Sequence, residues 1–260
     1  MVMYTSFRPF NSKGSGIGMI IYSAICTIQF CHDNNLQYIH TPLPDIFERK
    51  FNMNKLFPNR LSTSDTEQLR LIFKPNQQHS ITTLQGHKVI NITDMFNINN
   101  ILDSKLQLNL KHTSQQLRTV YDYDTANPSN PHDICIHVRR GDCDETVHRR
   151  NTLRRVDDIY VNNCLDKISN NKTGICNVTI HSDSKLDITK YTKHNNLKIL
   201  YNIPTVNNYR SAKRDSEALH HMINCDTLYR TKCSAFSGIC ALYNKNKVYN
   251  DNDCNLFANN

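Results

Sequence analysis

Short apolar runs alternate with longer mixed stretches through the second half of the chain, and this alternation restricts the fold more than any other feature of the sequence. The apolar runs have the length of buried strands, whereas the stretches between them are typical of helices. Strands are predicted at 134–138, 176–181 and 197–201, helices at 156–168 and 216–225, and a last strand–helix unit at 227–243. Strands that alternate with helices in this way indicate an α/β fold with a parallel sheet.

The first half of the chain is less regular. The glycine-rich stretch "GSGIG" precedes an apolar helix predicted at 18–31 and a short strand in "LQYIHTP". Between 44 and 113 the runs "LRLIF" and "KVINIT" are interpreted as strands, among short helices and insertions.

Pro, Asn, Asp and Ser residues concentrate at 121–133, and this composition is typical of a linker. A chain of 260 residues with 38% hydrophobic content is long enough to fill one large core or two small ones. We therefore predict an N-terminal lobe at 1–128 and a C-terminal lobe at 129–260.

Composition argues against several classes of protein. The apolar run at 18–31 is shorter than the roughly 20 residues that a membrane-spanning helix needs, so we predict a buried helix and no membrane span. No segment has the features of a signal peptide, and a cytoplasmic location is expected. The ten cysteines include no Cys-x-x-Cys pair, so no metal site is predicted and most thiols are expected to be free and buried. The net charge of +8 favours an anionic partner: a nucleotide, a nucleic acid or a phosphorylated sugar.

The segment "HVRRGD" (137–142) directly follows the predicted strand at 134–138. In an open α/β sheet, ligands bind beyond the carboxyl ends of the strands. Strand alternation places His137 and Arg139 on one side and Arg140 on the other. A guanidinium stays protonated and matches two phosphate oxygens at once, Gly141 permits a tight turn, and Asp142 has the charge to orient an arginine. This loop therefore predicts a diphosphate site, while a solvated basic turn is the simpler alternative.

The segment also resembles the hallmark motif of α-1,2-fucosyltransferases, and it is similar to the matching segment of α-1,6- and protein O-fucosyltransferases. Three further segments are similar to that superfamily in order and spacing. They are "GSGIGMIIYSAICTIQFCHDNNLQYI" near the N-terminus, "TIHSDS" (179–184), and "EALHHMINCDTLYRTKCSAFSGICALY" (217–243). The chain departs from the pattern at Ser184, where the family has a second acid, and it contains no tryptophan.

The resemblance implies a glycosyltransferase B-like fold of two Rossmann-like lobes with parallel sheets. It implies an inverting enzyme that transfers L-fucose from GDP-fucose to a hydroxyl of a glycan acceptor, with no metal and no cofactor beyond the donor substrate. Arg139, Arg140, Asp142 and Glu217 are the implied catalytic residues. The implied donor-binding residues are His137, Arg139, Arg140, Asp183, Ser234, Phe236, Ser237, Gly14, Gly16 and Gly18. The general base stays open among Asp144, Glu145 and Glu217, because sequence gives no distance to the acceptor.

Three alternatives stay open. A non-catalytic relative that only binds a GDP-sugar is compatible with the departures from the family pattern. A metal-dependent transferase is suggested by the Asp-x-Asp pairs at 122–124 and 251–253, although neither follows a convincing buried strand. A nucleic-acid-binding protein is suggested by the basic stretch "HRRNTLRR" (148–155), which lacks the aromatic residues that stack on bases. We expect no nucleic-acid partner.

Overall fold

The computed structural model describes residues 2–5, 17–72, 79–84, 87–92, 110–123, 133–139, 157–202, 212–231 and 234–249. The chain divides into two compact units, Met1–Tyr123 and Asp124–Asn260. Each unit is built around one β-sheet, and parallel strand pairs predominate in both. The predicted α/β class with parallel sheets is confirmed.

The first unit contains, in chain order, β1 (Val2–Thr5), α1 (Ile17–Asp33), β2 (Gln37–Tyr38), α2 (Asp45–Phe51), α3 (Met53–Leu56), α4 (Thr63–Ile72), β3 (His79–Leu84), β4 (His87–Ile92) and α5 (Lys111–Val120). The second unit contains β5 (Asp133–Val138), α6 (Asp158–Asn171), β6 (Cys176–Ser182), a 3₁₀ turn (Ile188–Tyr191), β7 (Leu197–Asn202), α7 (Ala212–Asn224), β8 (Thr227–Tyr229), α8 (Ala235–Tyr243) and β9 (Lys247–Tyr249).

The sheet of the second unit has the strand order β7-β6-β5-β8-β9, and every neighbouring pair is parallel. The chain starts at the central strand β5, moves outward through β6 and β7, and then returns to the other side of β5 with β8 and β9. This is the doubly wound order of Rossmann-like sheets, and its direction reverses between β5 and β8. Ligands of such sheets bind at the carboxyl ends of the strands that flank this switch point.

Helices cover both faces of this sheet. Ile134, Ile136 and Val138 of β5 pack into one core with α6, for example with Val161 and Leu165. The opposite face of β5 carries Cys135 and His137, and the helices α7 and α8 supply side chains against it. Because β5 is buried on both faces, residues 134–138 are all buried, which explains why the strand is almost continuously apolar.

The first unit has the strand order β2-β1-β4-β3, with β3 antiparallel to β4 and the other pairs parallel. Met3, Leu69 and Val89 belong to its core. The predicted buried helix at 18–31 is confirmed as α1, since most of its residues are buried. Gln29, a polar residue in α1, accepts hydrogen bonds from the Thr113 hydroxyl and amide at 2.6 and 3.2 Å.

One predicted strand is wrong. The run "LRLIF" begins inside α4, which covers Thr63–Ile72. The helix is started by a local cap: the Ser62 hydroxyl accepts from the Asp65 amide at 3.1 Å, and the Asp65 carboxylate accepts from the Ser62 amide at 3.3 Å. This reciprocal cap favours a helix and outweighs the strand preference of the apolar residues that follow. The predicted strand "KVINIT" is confirmed over most of its length as β4.

The thiols that the structure describes are free and buried, as predicted. They are Cys26, Cys31, Cys135, Cys164, Cys176, Cys225 and Cys240. Among the described helices, none combines the length and the apolar character required to cross a bilayer.

A partly buried carboxylate, that of Glu48, joins the segments around α2 in the first unit. The two oxygens of Glu48 accept hydrogen bonds from the Leu43 amide at 2.9 Å, the Asn54 amide at 3.2 Å and the His40 ring at 3.3 Å. Burial alone would raise the pKa of Glu48, but these hydrogen bonds and His40 outweigh burial and lower the pKa below 4.5. A lowered pKa in the folded state means that the charged form stabilises the fold above pH 4.5, and that this contribution disappears as the pH falls through the folded-state pKa.

Glu48→Gln is expected to lower the free energy of unfolding by about 1–3 kcal/mol at pH 7, because one amide group cannot accept all three hydrogen bonds equally well. The difference from the native protein should be smaller at pH 3 than at pH 7, because the contribution of a carboxylate whose pKa is lowered by folding decreases as the pH falls. Urea denaturation followed by circular dichroism at both pH values measures it, with exposed Glu67→Gln as the control. An equal loss at pH 3 and pH 7 would contradict the role of the charge.

Candidate functional site

Three neighbouring strands of the second sheet end at the same edge, and each is followed by a charged residue. Arg139 follows β5, Asp183 follows β6, and Arg230 follows β8. Parallel strands bring their carboxyl ends to one edge of a sheet, so these residues lie along a single edge. The ends of β5 and β8 flank the switch point between the two halves of the sheet, and we refer to this edge as the switch-point edge.

His137 is fixed at this edge by Thr231. The Thr231 hydroxyl donates to the His137 carbonyl, and its oxygen lies 3.0 Å from His137 Nδ1. A hydroxyl has one proton, and here the carbonyl takes it, so His137 Nδ1 must be the donor in the second hydrogen bond. The neutral ring therefore carries its proton on Nδ1 and presents Nε2 as an acceptor. Phe236 packs against the ring at a centroid distance of 5.8 Å.

The turn from β8 to α8 is also held from within. Ser234 is the N-cap of α8 and accepts from the Ser237 amide, while the Ser237 hydroxyl donates to the Thr231 carbonyl at 3.3 Å. Both serines are buried, so their hydroxyls shape the turn. The amides at the start of α8 lie beside the switch point, where the partial positive charge of a helix N-terminus favours anions.

The turn after β6 is pinned to β7. The Tyr201 hydroxyl donates to the Ser184 carbonyl at 2.6 Å and accepts from the Leu186 amide at 2.9 Å. The Ser184 amide donates to the Ser182 hydroxyl at 3.2 Å. Asp183 is half-buried within this turn. The hydrogen bonds of the turn fix its backbone at the switch-point edge.

Arg139 is half-buried where β5 ends. Strand alternation predicts that it shares a sheet face with His137. Arg140 and Asp142, which the sequence also assigned to this site, lie outside the described residues, as do Gly14 and Gly16.

Two of the sequence-predicted residues lie elsewhere. Glu217 is exposed on α7, and its carboxylate is 4.0 Å from the ammonium group of Lys213 one helical turn away. Gly18 is buried in the first turn of α1, in the first unit. The structure therefore brings His137, Arg139, Asp183 and the β8–α8 turn to one edge of the second unit, and it places neither Glu217 nor Gly18 on the strand ends that form this edge.

Sequence reasoning missed Arg230. Its side chain is 1% exposed, its amide donates to the Tyr249 carbonyl at 3.0 Å, and its carbonyl accepts from the Tyr160 hydroxyl at 3.1 Å. A buried guanidinium directly after an apolar strand repeats the pattern of "ICIHVRR", and "TLYR" was the signal that could have revealed it. Arg230 adds positive charge beneath the switch-point edge.

His181, near the end of β6, carries no positive charge at neutral pH. Burial, the neighbouring His221 and the neighbouring His137 together lower the pKa of His181 to about 3. His181 therefore adds no positive charge at this part of the sheet.

Comparisons with known proteins give a limited result. No protein-family model matches the chain, and no curated protein matches it. Among solved structures it is similar to those of POFUT1, a protein O-fucosyltransferase. A complex of POFUT1 with GDP-fucose has 10% identity and a TM-score of 0.36, and the apo form has 11% identity and a TM-score of 0.38. Each match covers 96% of this chain and 73% of POFUT1. At this identity and these TM-scores, the likeness does not establish membership of a family.

Thr231→Val is expected to lower the free energy of unfolding by about 1–3 kcal/mol, because it keeps the shape of the side chain but leaves His137 Nδ1 and a carbonyl buried without their partner. Urea denaturation measures this loss, and nitrogen NMR of the histidine rings should show a changed tautomer for His137.

The matched control is Thr119→Val, which removes an exposed hydroxyl that donates to the Gln116 carbonyl at 2.6 Å. Its effect should stay within about 0.5 kcal/mol. Equal effects of the two substitutions, or an unchanged His137 tautomer in Thr231→Val, would contradict the fixed geometry of His137.

Proposed function

We propose that the chain is a glycosyltransferase that binds GDP-fucose at the switch-point edge and transfers L-fucose, with inversion, to a hydroxyl of a glycan acceptor. The observation that carries the proposal is the position of "HVRRGD": its first residues end the central strand of a doubly wound sheet, beside the switch point. The choice of fucose follows from the resemblance of this segment and of the 179–184 and 217–243 segments to fucosyltransferases.

The diphosphate of the donor would bind at Arg139, with Arg140 as a second guanidinium and Asp142 orienting the loop. Negative charge develops on the diphosphate as the bond to the sugar breaks, so a fixed cation stabilises the transition state more than the bound donor. The amides at the start of α8 favour the same charge, and Ser234, Phe236 and Ser237 give this helix end its shape. Arginines and helix amides would thus do the work that a divalent metal ion does in metal-dependent transferases.

His137 has a more specific role in this proposal. Its Nδ1 is committed to Thr231, so the ring contacts the donor as a hydrogen-bond acceptor through Nε2. The matching group on a GDP-sugar is a hydroxyl of the ribose or of the fucose. Since the His137 side chain is held by Thr231 and Phe236, this contact needs no reorganisation when the donor binds.

Asp183 is assigned to the nucleoside of the donor. Asp183 follows β6, the strand next to β5. In this proposal its carboxylate accepts hydrogen bonds from ribose hydroxyls or from the N1 and N2 hydrogens of guanine. In the guanine case Asp183 would also select against uracil, which has no matching pair of donors.

The base that takes the proton of the acceptor hydroxyl is assigned to a carboxylate of the group Asp144, Glu145 and Glu217. Glu217 is exposed on α7 and paired with Lys213, so it would serve only if the acceptor approaches that helix.

A non-catalytic GDP-sugar-binding protein is the second candidate. The observation that favours it is Ser184, which occupies the position of the family's second acid and whose hydroxyl is buried with no hydrogen-bond partner among the described residues. Such a protein would bind GDP-fucose without releasing GDP and fucose from it.

The deciding experiment is a panel of donor binding and donor hydrolysis with GDP-fucose, GDP-mannose and UDP-sugars. We expect selective turnover of GDP-fucose. Arg139→Ala should lower kcat/KM by about 10²–10³-fold, the loss typical of removing one group that stabilises a developing anion. Arg49→Ala, which removes an exposed guanidinium from α2, is the control and should change little.

The outcomes separate the candidates. Tight binding of GDP-fucose without turnover would favour the non-catalytic protein. Equal turnover of UDP-sugars would contradict the assignment of the donor, and full activity of Arg139→Ala would contradict the assignment of the diphosphate site.

Asp183→Asn tests the nucleoside assignment. The substitution should weaken GDP binding by about 10-fold or more, because a carboxylate that accepts hydrogen bonds is replaced by a neutral amide, and hydrogen bonds to charged groups contribute about 1.5–3 kcal/mol. Calorimetric titration with GDP and with UDP locates the contact: a loss confined to GDP indicates guanine, and an equal loss indicates ribose. Unchanged binding of both nucleotides would contradict the assignment.

A further inference from the structure

A second group of chemically active side chains lies inside the second unit, on the sheet face covered by α7 and α8. It consists of Cys135 on β5, His181 on β6 and His221 on α7. One donor atom from each residue lies within 4.8 Å of the corresponding atoms of the other two. Cys135 and His181 are buried and His221 is partly exposed, and we refer to these residues as the Cys-His-His cluster.

The two histidine rings already point nitrogen to nitrogen. His181 Nε2 is 3.0 Å from His221 Nδ1, with ring centroids 5.1 Å apart and ring planes at 78°. Two nitrogens bound to one tetrahedral zinc ion at 2.0–2.1 Å are about 3.3 Å apart. The observed separation is therefore a few tenths of an ångström shorter than that of a zinc-bound pair, and both rings would also have to turn so that their lone pairs meet at the ion instead of facing each other.

A carboxylate sets the direction of the His221 lone pair. His221 Nε2 lies 2.8 Å from Asp133 Oδ2, so its proton is held on the outer nitrogen and the inner Nδ1 has a lone pair directed at His181. Metal-binding histidines almost always donate their second N–H to such a carboxylate or carbonyl, which orients the ring and raises its basicity. Asp133 thus has the position and chemistry of the outer partner of a metal-binding histidine.

Without an ion, the same groups form an incomplete hydrogen-bond network. His181 Nε2 must donate its proton to His221 Nδ1, and this leaves His181 Nδ1 as an acceptor that is buried and has no hydrogen-bond partner among the described residues. An ion bound at His181 Nε2 would leave Nδ1 buried in either state, as the ring N–H instead of as an acceptor. The ion would replace the single hydrogen bond between the rings with two metal–nitrogen bonds and one metal–thiolate bond, and the protons of Nε2 and of the Cys135 thiol would pass to solvent.

The donor set defines the ion. Two imidazoles and one thiolate are the ligands of zinc, whereas magnesium and calcium prefer oxygen. A second thiol, that of Cys225, lies next to Cys135. The outer histidine and Asp133 are partly exposed, with 33% and 22% of their side chains accessible, and this gives the ion a route from solvent.

We propose that Cys135, His181 and His221 bind one zinc ion, which joins β5, β6 and α7 behind the switch-point edge and stabilises the second unit. Cys135 lies two residues before His137 on the same strand face, so the ion would support the strand that positions the site. With three protein ligands, its fourth position would be filled by water from the partly exposed side of His221. The sequence contains no short zinc template because the three ligands lie far apart in the chain and meet only through the pairing of β5 with β6 and the packing of α7.

The test uses the purified 260-residue chain in the absence of any donor, so its outcome is independent of the proposed transferase activity. Metal analysis and titration of the metal-free protein with zinc should give one equivalent per chain and a higher unfolding temperature. Titration with cobalt(II) should produce the near-ultraviolet absorption of a cobalt–thiolate bond together with tetrahedral visible bands.

Matched variants locate the site. Cys135→Ser should remove the cobalt–thiolate absorption, and His221→Gln should abolish stoichiometric binding. Cys164→Ser, which changes a buried thiol on the other side of the sheet, should retain binding. His194→Gln should also retain it, although His194 Nε2 makes a comparable 2.7 Å contact with the carboxylate of Asp166.

A milder substitution tests the geometry without removing a ligand. Asp133→Asn should weaken zinc affinity by about 10–100-fold, the usual effect of losing the outer partner of a metal-binding histidine. The control Asp166→Asn should leave the affinity unchanged. The proposal would be overturned if the native chain binds no stoichiometric zinc, or if Cys135→Ser and His221→Gln bind it as well as the native chain. The three side chains of Asp133, His221 and His181 would then form a hydrogen-bonded network without an ion.

Discussion

The hydrogen-bonded pair of His137 and Thr231 is the contact on which the candidate site depends. It ties the end of β5 to the end of β8 across the point where the direction of the sheet reverses. At such a point the connections from the two neighbouring strands run in opposite directions, which leaves a crevice between them. A ligand can therefore bind there without any rearrangement of the core. Thr231 then uses its own carbonyl to hold Ser237, which connects the same contact to the start of α8.

The two faces of β5 divide the work within the second unit. Ile134, Ile136 and Val138 pack against α6 and supply apolar burial, at about 1.5–3 kcal/mol for each large side chain. Cys135 and His137 face α7 and α8 and supply polar chemistry. One face of β5 therefore stabilises the sheet through apolar packing, while the other face provides His137 at the switch-point edge and Cys135 as the proposed zinc ligand. Arginines follow the strands at this edge, whereas burial keeps His181 neutral.

Sequence patterns predicted the parts of the fold that repeat a simple rule. The predicted bounds of β5, β6 and β7 agree with the observed ones to within one residue at each end, because each strand is a short apolar run between polar segments. The run "LRLIF" was misread because the reciprocal cap of Ser62 and Asp65 decides the structure, and a cap acts through two residues rather than through a periodic pattern.

The site could be predicted only in part, for a similar reason. His137, Arg139 and Asp183 each follow or end an apolar strand, so the rule that ligands bind at carboxyl ends identifies them. Arg230 obeys the same rule, but no basic residue stands directly beside it, whereas Arg139 and Arg140 are adjacent. His181 and His221 belong to different elements, and their contact exists only after α7 has packed on the sheet. Glu217 was assigned by its place in the similar segment, which carries no information on the helix face it occupies.

NMR mapping of GDP binding to the native chain, through the amide resonances and the histidine rings, tests most directly whether the donor binds at the switch-point edge. We expect saturable changes concentrated at Arg139, Asp183 and Thr231, with the His137 ring retaining its proton on Nδ1. Changes centred elsewhere in the chain, or saturable GDP binding that leaves these residues unperturbed, would contradict a donor site at this edge.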